Sequence, residues 1–166
     1  EKGPLGGTCV NVGCVPKKVS WYAGSFAHVL HDAPDYGFDV SVAGHDWGKL
    51  KAGRDAYVAR LNDIYRNNLG KRGVHLVEGR ARLTGAHEIE VAGQRFEAGK
   101  ILIATGGYPM VPEVPGAELG ITSDGFFELE TRPPRVLIAG SGYVAVELGG
   151  VFRALGSEVT LLTRQD

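Results

Sequence analysis

Two stretches of the chain have apolar residues at the spacing of an amphipathic helix. In residues 15–30 they fall three and four positions apart, which places them on one helical face. Pro34 and Gly37 follow and predict the end of this helix. Residues 54–69 repeat the rhythm and predict a second helix. Between the two, residues 35–47 lack either period and predict a loop.

The pattern changes to short β-rich runs between residues 74 and 104. Four runs punctuated by glycine favour strands and a hairpin: VHLVEGRARL, EIEVAG, QRFEAGK and ILIAT. A connector rich in proline and glycine, residues 107–116, is the best candidate for a domain boundary. Beyond it, RVLIAG predicts a buried strand, residues 143–155 a helix, and EVTLLT another strand. This order is a β-α-β unit and indicates the α/β fold class.

The composition narrows the possible partners. The chain is 43% hydrophobic and 22% charged with a net charge of −1, which is typical of a globular protein and gives no electrostatic reason to expect nucleic acid or an anionic membrane. No run approaches the roughly 20 apolar residues of a membrane span, and the start does not resemble a signal peptide. Two cysteines are too few for a disulfide-built secreted domain, so we expect a cytoplasmic protein. Because the chain begins at Glu1 and stops directly after a strand-like run, we expect it to be an internal piece of a longer protein.

Both cysteines, Cys9 and Cys14, lie in the segment GGTCVNVGCVPKK. A zinc site would need about four ligands, and the five histidines offer no partner pair at suitable spacing. A disulfide closing so short a loop would remove little chain entropy, and two unconnected buried thiols are a further structural interpretation. Reactivity is favoured by the predicted helix N-terminus and by two lysines one turn later, since both stabilise a thiolate. Gly13 and Pro16 would let the first turn distort enough for the two sulfurs to meet.

A glycine motif lies between the predicted strand and helix of the β-α-β unit. Gly140, Gly142 and Ala145 form a GxGxxA pattern, in which the glycines permit a tight turn and close approach to a pyrophosphate. The alternative is a plain turn. At the end of the next strand Arg164 is present and an acidic residue is absent, which favours NADPH over NADH. Arg164 could instead be a solvated surface charge.

The cysteine segment is similar to the redox-active disulfide of the class I pyridine nucleotide-disulfide oxidoreductases, which are FAD enzymes. Within that family the chain resembles the branch that reduces glutathione disulfide, through VPKKVSW, PDYGFDV, RDAYVARLNDIYRNNL, KILIATGGYP, SDGFFEL and GSGYVAVELGGVFRALGSEVTLL, in that order. The resemblance covers essentially the whole chain. It implies an α/β, FAD/NAD(P)-binding, Rossmann-like architecture of two domains, incomplete at both ends. Residues 1–108 would be an FAD-binding domain without its N-terminal GxGxxG unit, and residues 109–166 the beginning of an NADPH-binding domain.

The resemblance also implies roles for the thiols and their neighbours. Cys9 would attack the disulfide substrate, and Cys14 would lie nearest the flavin. Lys17 would lie beside flavin N5 and pair with Glu147, bridging the two domains. Lys18 is the alternative for that lysine.

Other site residues follow from the same resemblance. Tyr143 would cover the nicotinamide pocket, although alone it would be a helix-surface aromatic residue. Tyr65 would contact glutathione, although its spacing fits core packing equally well, and Tyr57 is a weaker candidate. The residues that would bind FAD or NADPH are Glu1, Gly7, Thr8, Lys17, Arg80, Ala81, Thr105, Gly106, Gly140, Gly142, Tyr143, Ala145, Glu147 and Arg164.

The implied activity is NADPH-dependent reduction of glutathione disulfide through FAD and the cysteine pair, in a homodimer. In this family the catalytic histidine comes from an interface domain of the other subunit; none of the five histidines here has that context, and we assign none. We expect the piece by itself to be inactive. Two alternatives stay open: a trypanothione or other disulfide reductase of the same family, and a non-catalytic nucleotide-binding module that uses the cysteines as a redox switch.

Overall fold

The computed structural model describes residues 1–163, in which three helices are followed by three short strands and then by an α-β-α-β segment. The helices are α1 (Gly7–Asn11), α2 (Cys14–Asp32), α3 (Trp47–Lys71), α4 (Ser123–Phe126) and α5 (Tyr143–Ala154). The strands are β1 (Ala81–Leu83), β2 (Glu88–Val91), β3 (Gln94–Glu97), β4 (Arg135–Ala139) and β5 (Glu158–Leu162). Short 3-10 turns occupy Ala33–Tyr36 and Ala117–Leu119. The predicted α/β class is confirmed. Among the helices of residues 1–163, none is both long and apolar enough to cross a membrane.

Both predicted long helices are present, but α3 begins earlier than the sequence predicts. It starts at Trp47, the last residue of the predicted loop, instead of at residue 54. The Asp46 carboxylate accepts a hydrogen bond of 2.9 Å from the Lys49 backbone N–H and so caps the helix. Trp47 is buried. The cap and this burial set the helix start, because the apolar spacing of residues 47–53 is too weak to reveal it.

The β-rich stretch forms an antiparallel sheet in the order β1-β2-β3. The predicted hairpin is β2–β3, in which Val91 pairs with Gln94 around a two-residue turn. Both turn residues, Ala92 and Gly93, have positive φ angles of 51° and 80°. That conformation matches the right-handed twist of the strands. It is unusual for an alanine.

Two of the predicted strand segments do not form strands. Residues 101–105 are irregular, and the Leu102 side chain is 90% exposed. Within residues 1–163 these residues have no neighbouring strand to complete their backbone hydrogen bonds, so apolar character alone does not make a strand. Residues 74–80 are also irregular, but Glu1 lies alongside them: its amino group donates to Val77 O (3.0 Å), and its carbonyl accepts from Gly79 N (2.9 Å).

The predicted β-α-β unit is confirmed. Strands β4 and β5 are parallel neighbours, in register from Arg135 opposite Glu158, and α5 connects them. At Gly149, α5 comes so close to the sheet that a Cβ atom would lie 3.3 Å from the Ile138 side chain. Glycine therefore lets this helix pack tightly on its sheet.

The other side of α5 packs against α2, again through glycines. A Cβ atom at Gly24 would lie 3.2 Å from the Ala154 Cβ, and one at Gly150 would lie 3.3 Å from the Trp21 ring. Positions 21 and 24 of α2 thus meet positions 150 and 154 of α5, so the two helices run in the same direction. Their N-termini consequently lie at the same end of the pair.

An aromatic core lies beneath α5. Its buried members are Trp47, Phe126, Phe127, Leu148, Val151, Phe152 and Leu155. The Trp47 ring stacks on Phe152 with centroids 5.8 Å apart, and meets Phe126 edge-on at the same distance. The Trp47 indole N–H also donates to Leu129 O at 2.8 Å. This core joins the start of α3 to α4 and α5.

Arg54 is a charged residue inside this assembly, with 2% of its side chain exposed. Its guanidinium donates to the Phe127 carbonyl and to the Asp55 carboxylate (2.8 Å), and lies 5.4 Å from the Phe127 ring centroid. A buried arginine is tolerated when its donors are satisfied in this way. It attaches α3 to the segment that follows α4.

We expect the substitution Arg54→Ala to lower the free energy of unfolding of the protein by roughly 2–4 kcal/mol, because the Phe127 carbonyl loses its donor and a buried side chain leaves a cavity. Urea unfolding followed by circular dichroism measures this loss. Arg60→Ala is the matched control, since Arg60 lies on the same helix with an exposed side chain. Equal effects of the two substitutions would contradict the structural role of Arg54.

Candidate functional site

A cleft of about 680 Å³ opens where the N-termini of α2 and α5 lie side by side. Its walls come from the α1–α2 segment, from residues 106–109, from the start of α4 and from the first turns of α5. Seven of the residues predicted from the sequence line it: Thr8, Cys9, Cys14, Lys17, Gly106, Tyr143 and Glu147. Residues far apart in the sequence therefore share one site.

The two cysteines lie on opposite sides of a break between α1 and α2. Helix α1 ends where Val12 N donates to Thr8 O (3.0 Å). A Cβ atom at Gly13 would lie 2.7 Å from that same carbonyl oxygen, so no other residue fits there without moving the backbone. Gly13 therefore makes the break that brings the thiols together.

Both thiols are exposed and free, and both line the cleft. The neighbouring Cys14 side chain, as a hydrogen-bond partner, is the main cause that raises the pKa of Cys9, and partial desolvation acts in the same direction. The sequence predicts that the helix N-terminus stabilises a thiolate in this segment. For Cys9 the pKa is raised instead of lowered, and the Cys14 side chain is the main cause.

Lys17 of α2 and Glu147 of α5 form an ion pair at the floor of the cleft. Lys17 Nζ lies 2.8 Å from Glu147 Oε1, and the two side chains are 26% and 32% exposed. The structure thus brings together the two residues that the family resemblance pairs. Lys18 is exposed, and its ammonium lies 5.7 Å from the Tyr22 ring centroid instead of in the cleft.

The glycine motif leads into the N-terminus of α5. Gly140 has a φ of 130° and donates its N–H to Leu162 O at 2.9 Å. Gly142 precedes the helix, and a Cβ atom there would meet nothing within 4 Å. Tyr143 is the first helical residue and is 80% exposed at the mouth of the cleft, while Ala145, two residues later, is half-buried. The approach to this helix end is open, as anion binding by backbone N–H groups requires.

A second group of predicted residues lies outside the cleft, around Glu1. The Glu1 carboxylate accepts hydrogen bonds from the backbone N–H groups of Lys2 (2.9 Å) and Gly3 (3.0 Å). The bond from Gly3 is the main cause that lowers the pKa of Glu1. Because Glu1 O accepts from Gly79 N, Glu1 is a close neighbour of the exposed Arg80 and of Ala81, which begins β1.

The remaining predicted residues are scattered. Gly7 begins α1 with a φ of 58°, and Thr105 is exposed in the irregular segment before Gly106. Tyr65 is 44% exposed on α3, so the structure places it neither among the cleft residues nor in the buried core. Arg164 lies outside the described residues.

Sequence reasoning missed the wall of the cleft formed by Ser123, Asp124 and Phe127. Helix α4 has only four residues, too few for any periodicity to be read. The segment SDGFFEL enters the sequence argument only as part of a resemblance, without roles for its members. No signal in the residues themselves would have placed them beside the thiols.

Comparisons with known proteins identify the family of the chain. The family model described as pyridine nucleotide-disulphide oxidoreductase matches residues 3–166. The chain is 52% identical to the glutathione reductase of Yarrowia lipolytica (strain CLIB 122 / E 150), across 99% of this chain and 38% of that protein. It is 50% identical to the glutathione reductase of Schizosaccharomyces pombe (strain 972 / ATCC 24843), across 98% and 37%. The chain spans less than two fifths of the length of these curated relatives. Because the family model matches nearly every residue, the chain belongs to the pyridine nucleotide-disulphide oxidoreductase family.

Proposed function

We propose that this chain is part of an NADPH-dependent flavoenzyme that reduces glutathione disulfide. The observation that carries the proposal is the single cleft that holds Cys9, Cys14 and the Lys17–Glu147 ion pair. Two adjacent thiols supply the chemistry of disulfide exchange. The substrate is suggested by the two relatives, each of which is named glutathione reductase.

The residues present fit the cofactors of the family. The Lys17 ammonium lies in the cleft, and Gly106, with a φ of 69°, presents backbone without a side chain. We propose that FAD is held by Glu1, Gly7, Thr8, Lys17, Arg80, Ala81, Thr105 and Gly106. The open N-terminus of α5 fits a pyrophosphate, and we propose that NADPH is held by Gly140, Gly142, Tyr143, Ala145, Glu147 and Arg164. When bound, the two cofactors would supply the electron pair that reduces a Cys9–Cys14 disulfide.

The proposed division into domains puts the two members of the ion pair in different domains. Residues 1–108 are assigned to the FAD-binding domain and residues 109–166 to the beginning of the NADPH-binding domain. Lys17 and Glu147 would then join the two domains beside the thiols that line the same cleft. We also propose a cytoplasmic homodimer in which Tyr65 contacts glutathione. The low cysteine content supports the cytoplasmic location. The family resemblance supports the dimer and the role of Tyr65.

The chemistry of the thiols follows from their contact. The Cys9 thiolate attacks one sulfur of glutathione disulfide, which breaks the S–S bond, forms a mixed disulfide and releases one glutathione. The Cys14 sulfur then attacks the Cys9 sulfur and releases the second glutathione. The protein is left with a Cys9–Cys14 disulfide, and the two thiol protons end on the two glutathione products.

The ion pair keeps a positive charge at a fixed place beside this chemistry. The Glu147 carboxylate holds the Lys17 ammonium in one position at 2.8 Å and offsets the cost of its partial burial. The converging N-termini of α2 and α5 add partial positive charge at the same end. Positive charge is therefore concentrated at this end of the cleft, where a bound anionic group would be stabilised.

We expect Cys9→Ser and Cys14→Ser each to lower glutathione-dependent NADPH oxidation by the full-length enzyme by at least about a thousandfold, because two sulfurs that act as one unit fail together. The rate at which NADPH absorbance falls after glutathione disulfide is added measures the loss. Flavin content and thermal unfolding should stay as in the wild type. Activity above about one tenth of wild type in either variant would contradict the redox role, since loss of a nucleophile costs far more than this.

The adjacent lysines offer a matched test of the ion pair. We expect Lys17→Met to lower kcat roughly 10- to 100-fold, because a hydrogen bond to a charged group contributes about 1.5–3 kcal/mol. Lys18→Met removes the same charge outside the cleft and should change kcat by less than about twofold, as is usual for an exposed charge. The reverse ranking of the two variants would favour Lys18 as the functional lysine.

The raised pKa of Cys9 predicts the pH dependence of its alkylation in the dithiol form of the protein. Since only the thiolate reacts, a raised pKa keeps Cys9 protonated and slow to react until the pH exceeds the usual range for a thiol. Cys14→Ala removes the hydrogen bond that causes the shift, so Cys9 should react faster near neutral pH. Iodoacetamide labelling followed by mass spectrometry across pH 6–10, the range around an ordinary thiol pKa, measures both profiles. Identical profiles would contradict the assigned cause.

A further inference from the structure

Helix α1, which carries Cys9, cannot be stable by itself. It has five residues and begins without a side-chain cap in the described structure. Isolated helices shorter than about 12 residues are marginal in water, so contacts from outside must hold α1. One such contact is the burial of Val10, which leaves 4% of that residue exposed. A second is polar and involves two asparagines that neither the sequence analysis nor the proposed mechanism uses.

Asn11 closes the end of α1 from within the cysteine segment. Its side-chain amide donates to Gly7 O at 2.8 Å and to Leu5 O at 3.1 Å. Both N–H donors of this amide are therefore used on backbone carbonyls at the start of the helix. The bond to Leu5 O is partly buried, whereas the bond to Gly7 O is exposed.

Asn62 connects this arrangement to α3. Its side-chain amide donates to Leu5 O at 2.7 Å and to Asn11 Oδ1 at 3.1 Å. The Leu5 carbonyl thus accepts from both asparagines, and Asn11 is held through its oxygen as well as its nitrogen. A long, regular helix, α3, consequently fixes both the residues that lead into α1 and the residue that ends it.

We propose that Asn62, acting through Leu5 and Asn11, is a positioning residue that holds Cys9 beside Cys14 in the cleft. Cys9 lies between the two points at which α1 is fixed, whereas Cys14 belongs to α2 and is placed by the packing of α2 on α5. Loss of the Asn62 bonds should loosen α1, which keeps the contacts of Val10 and Asn11, and should leave α2 unchanged. The two sulfurs then spend less time in contact, and closure of the disulfide becomes less favourable. This inference rests on the proposed redox role of the cysteine pair.

The thiol–disulfide equilibrium of the full-length protein tests the proposal without turnover by NADPH. The dithiol protein reacts with glutathione disulfide to give the Cys9–Cys14 disulfide and two glutathione thiols, so one S–S bond breaks as another forms. Alkylation of the remaining thiols and mass spectrometry give the equilibrium constant in glutathione buffers of known ratio. We expect Asn62→Ala to lower this constant about fivefold, because a hydrogen bond between neutral groups contributes about 1 kcal/mol.

Asn67→Ala is the matched control, since Asn67 is an exposed asparagine on the same helix. It should leave the equilibrium constant as in the wild type. Asn62→Asp is the second variant: it keeps the shape of the side chain, but its carboxylate faces two acceptor oxygens and cannot donate, so the constant should fall further. Thermal unfolding of each variant separates general destabilisation from a change in the equilibrium between two folded forms.

Each outcome supports or contradicts the positioning role of Asn62. A fall with both Asn62 variants and none with Asn67→Ala supports the positioning role. Unchanged constants, equal falls in all three variants, or failure of both Asn62 variants to fold would overturn it in favour of no role or a purely structural one. If wild-type protein forms no Cys9–Cys14 disulfide in any glutathione buffer, it is the proposed function that fails.

Discussion

The parallel packing of α2 against α5 is the contact on which the cleft depends. Glycines at positions 24 and 150 let the helices approach closely enough to fix their relative position along their axes. That position places Lys17 opposite Glu147 and both helix N-termini at one end. A bulkier residue at either glycine would separate the helices and with them the two halves of the site, although Gly24 lies about two helical turns from Lys17.

Helix α5 packs between the β4–β5 sheet and helix α2, which explains why it can contain two adjacent glycines. One face packs on β4 and β5 at Gly149, and the next residue, Gly150, faces Trp21 of α2. Glycine within a helix costs about 1 kcal/mol relative to alanine, so its presence needs compensation from packing. The compensation comes from the buried residues of α5, chiefly Leu148, Val151 and Phe152.

The sequence predicts those parts of the molecule in which local pattern and final structure agree. Helix α2 follows from its apolar spacing, and the β-α-β unit follows from two apolar runs around a glycine motif. The start of α3 does not, because it is set by the burial of Trp47 against Phe152, a residue more than a hundred positions away. Residues 101–105 show the opposite case, in which apolar character predicts a strand that has no neighbour within residues 1–163.

Some features of the candidate site can likewise be predicted from the sequence, whereas others depend on the folded structure. The chemical character of the cysteine segment can be predicted from its residues and its resemblance. Spacing alone does not distinguish the two adjacent lysines. The orientation of α2 against α5 places Lys17 in the cleft and Lys18 over Tyr22. Asn62 carries no sequence signal, since an asparagine on a polar helix face is ordinary. Arg54 is hidden for the same reason, because an isolated arginine in a helical pattern predicts a solvated surface residue.

The break at Gly13 has a mechanical consequence. Closing a disulfide shortens the separation of two sulfurs to about 2 Å, and if both cysteines belonged to one continuous helix, that movement would have to bend the helix. Here Cys9 and Cys14 belong to separate segments joined at one glycine, so the backbone dihedrals of residues 12 and 13 can absorb the movement as a hinge. Helix α2 can then stay still while the redox state of the thiols changes, and the Lys17 ammonium keeps the same place beside them in both states.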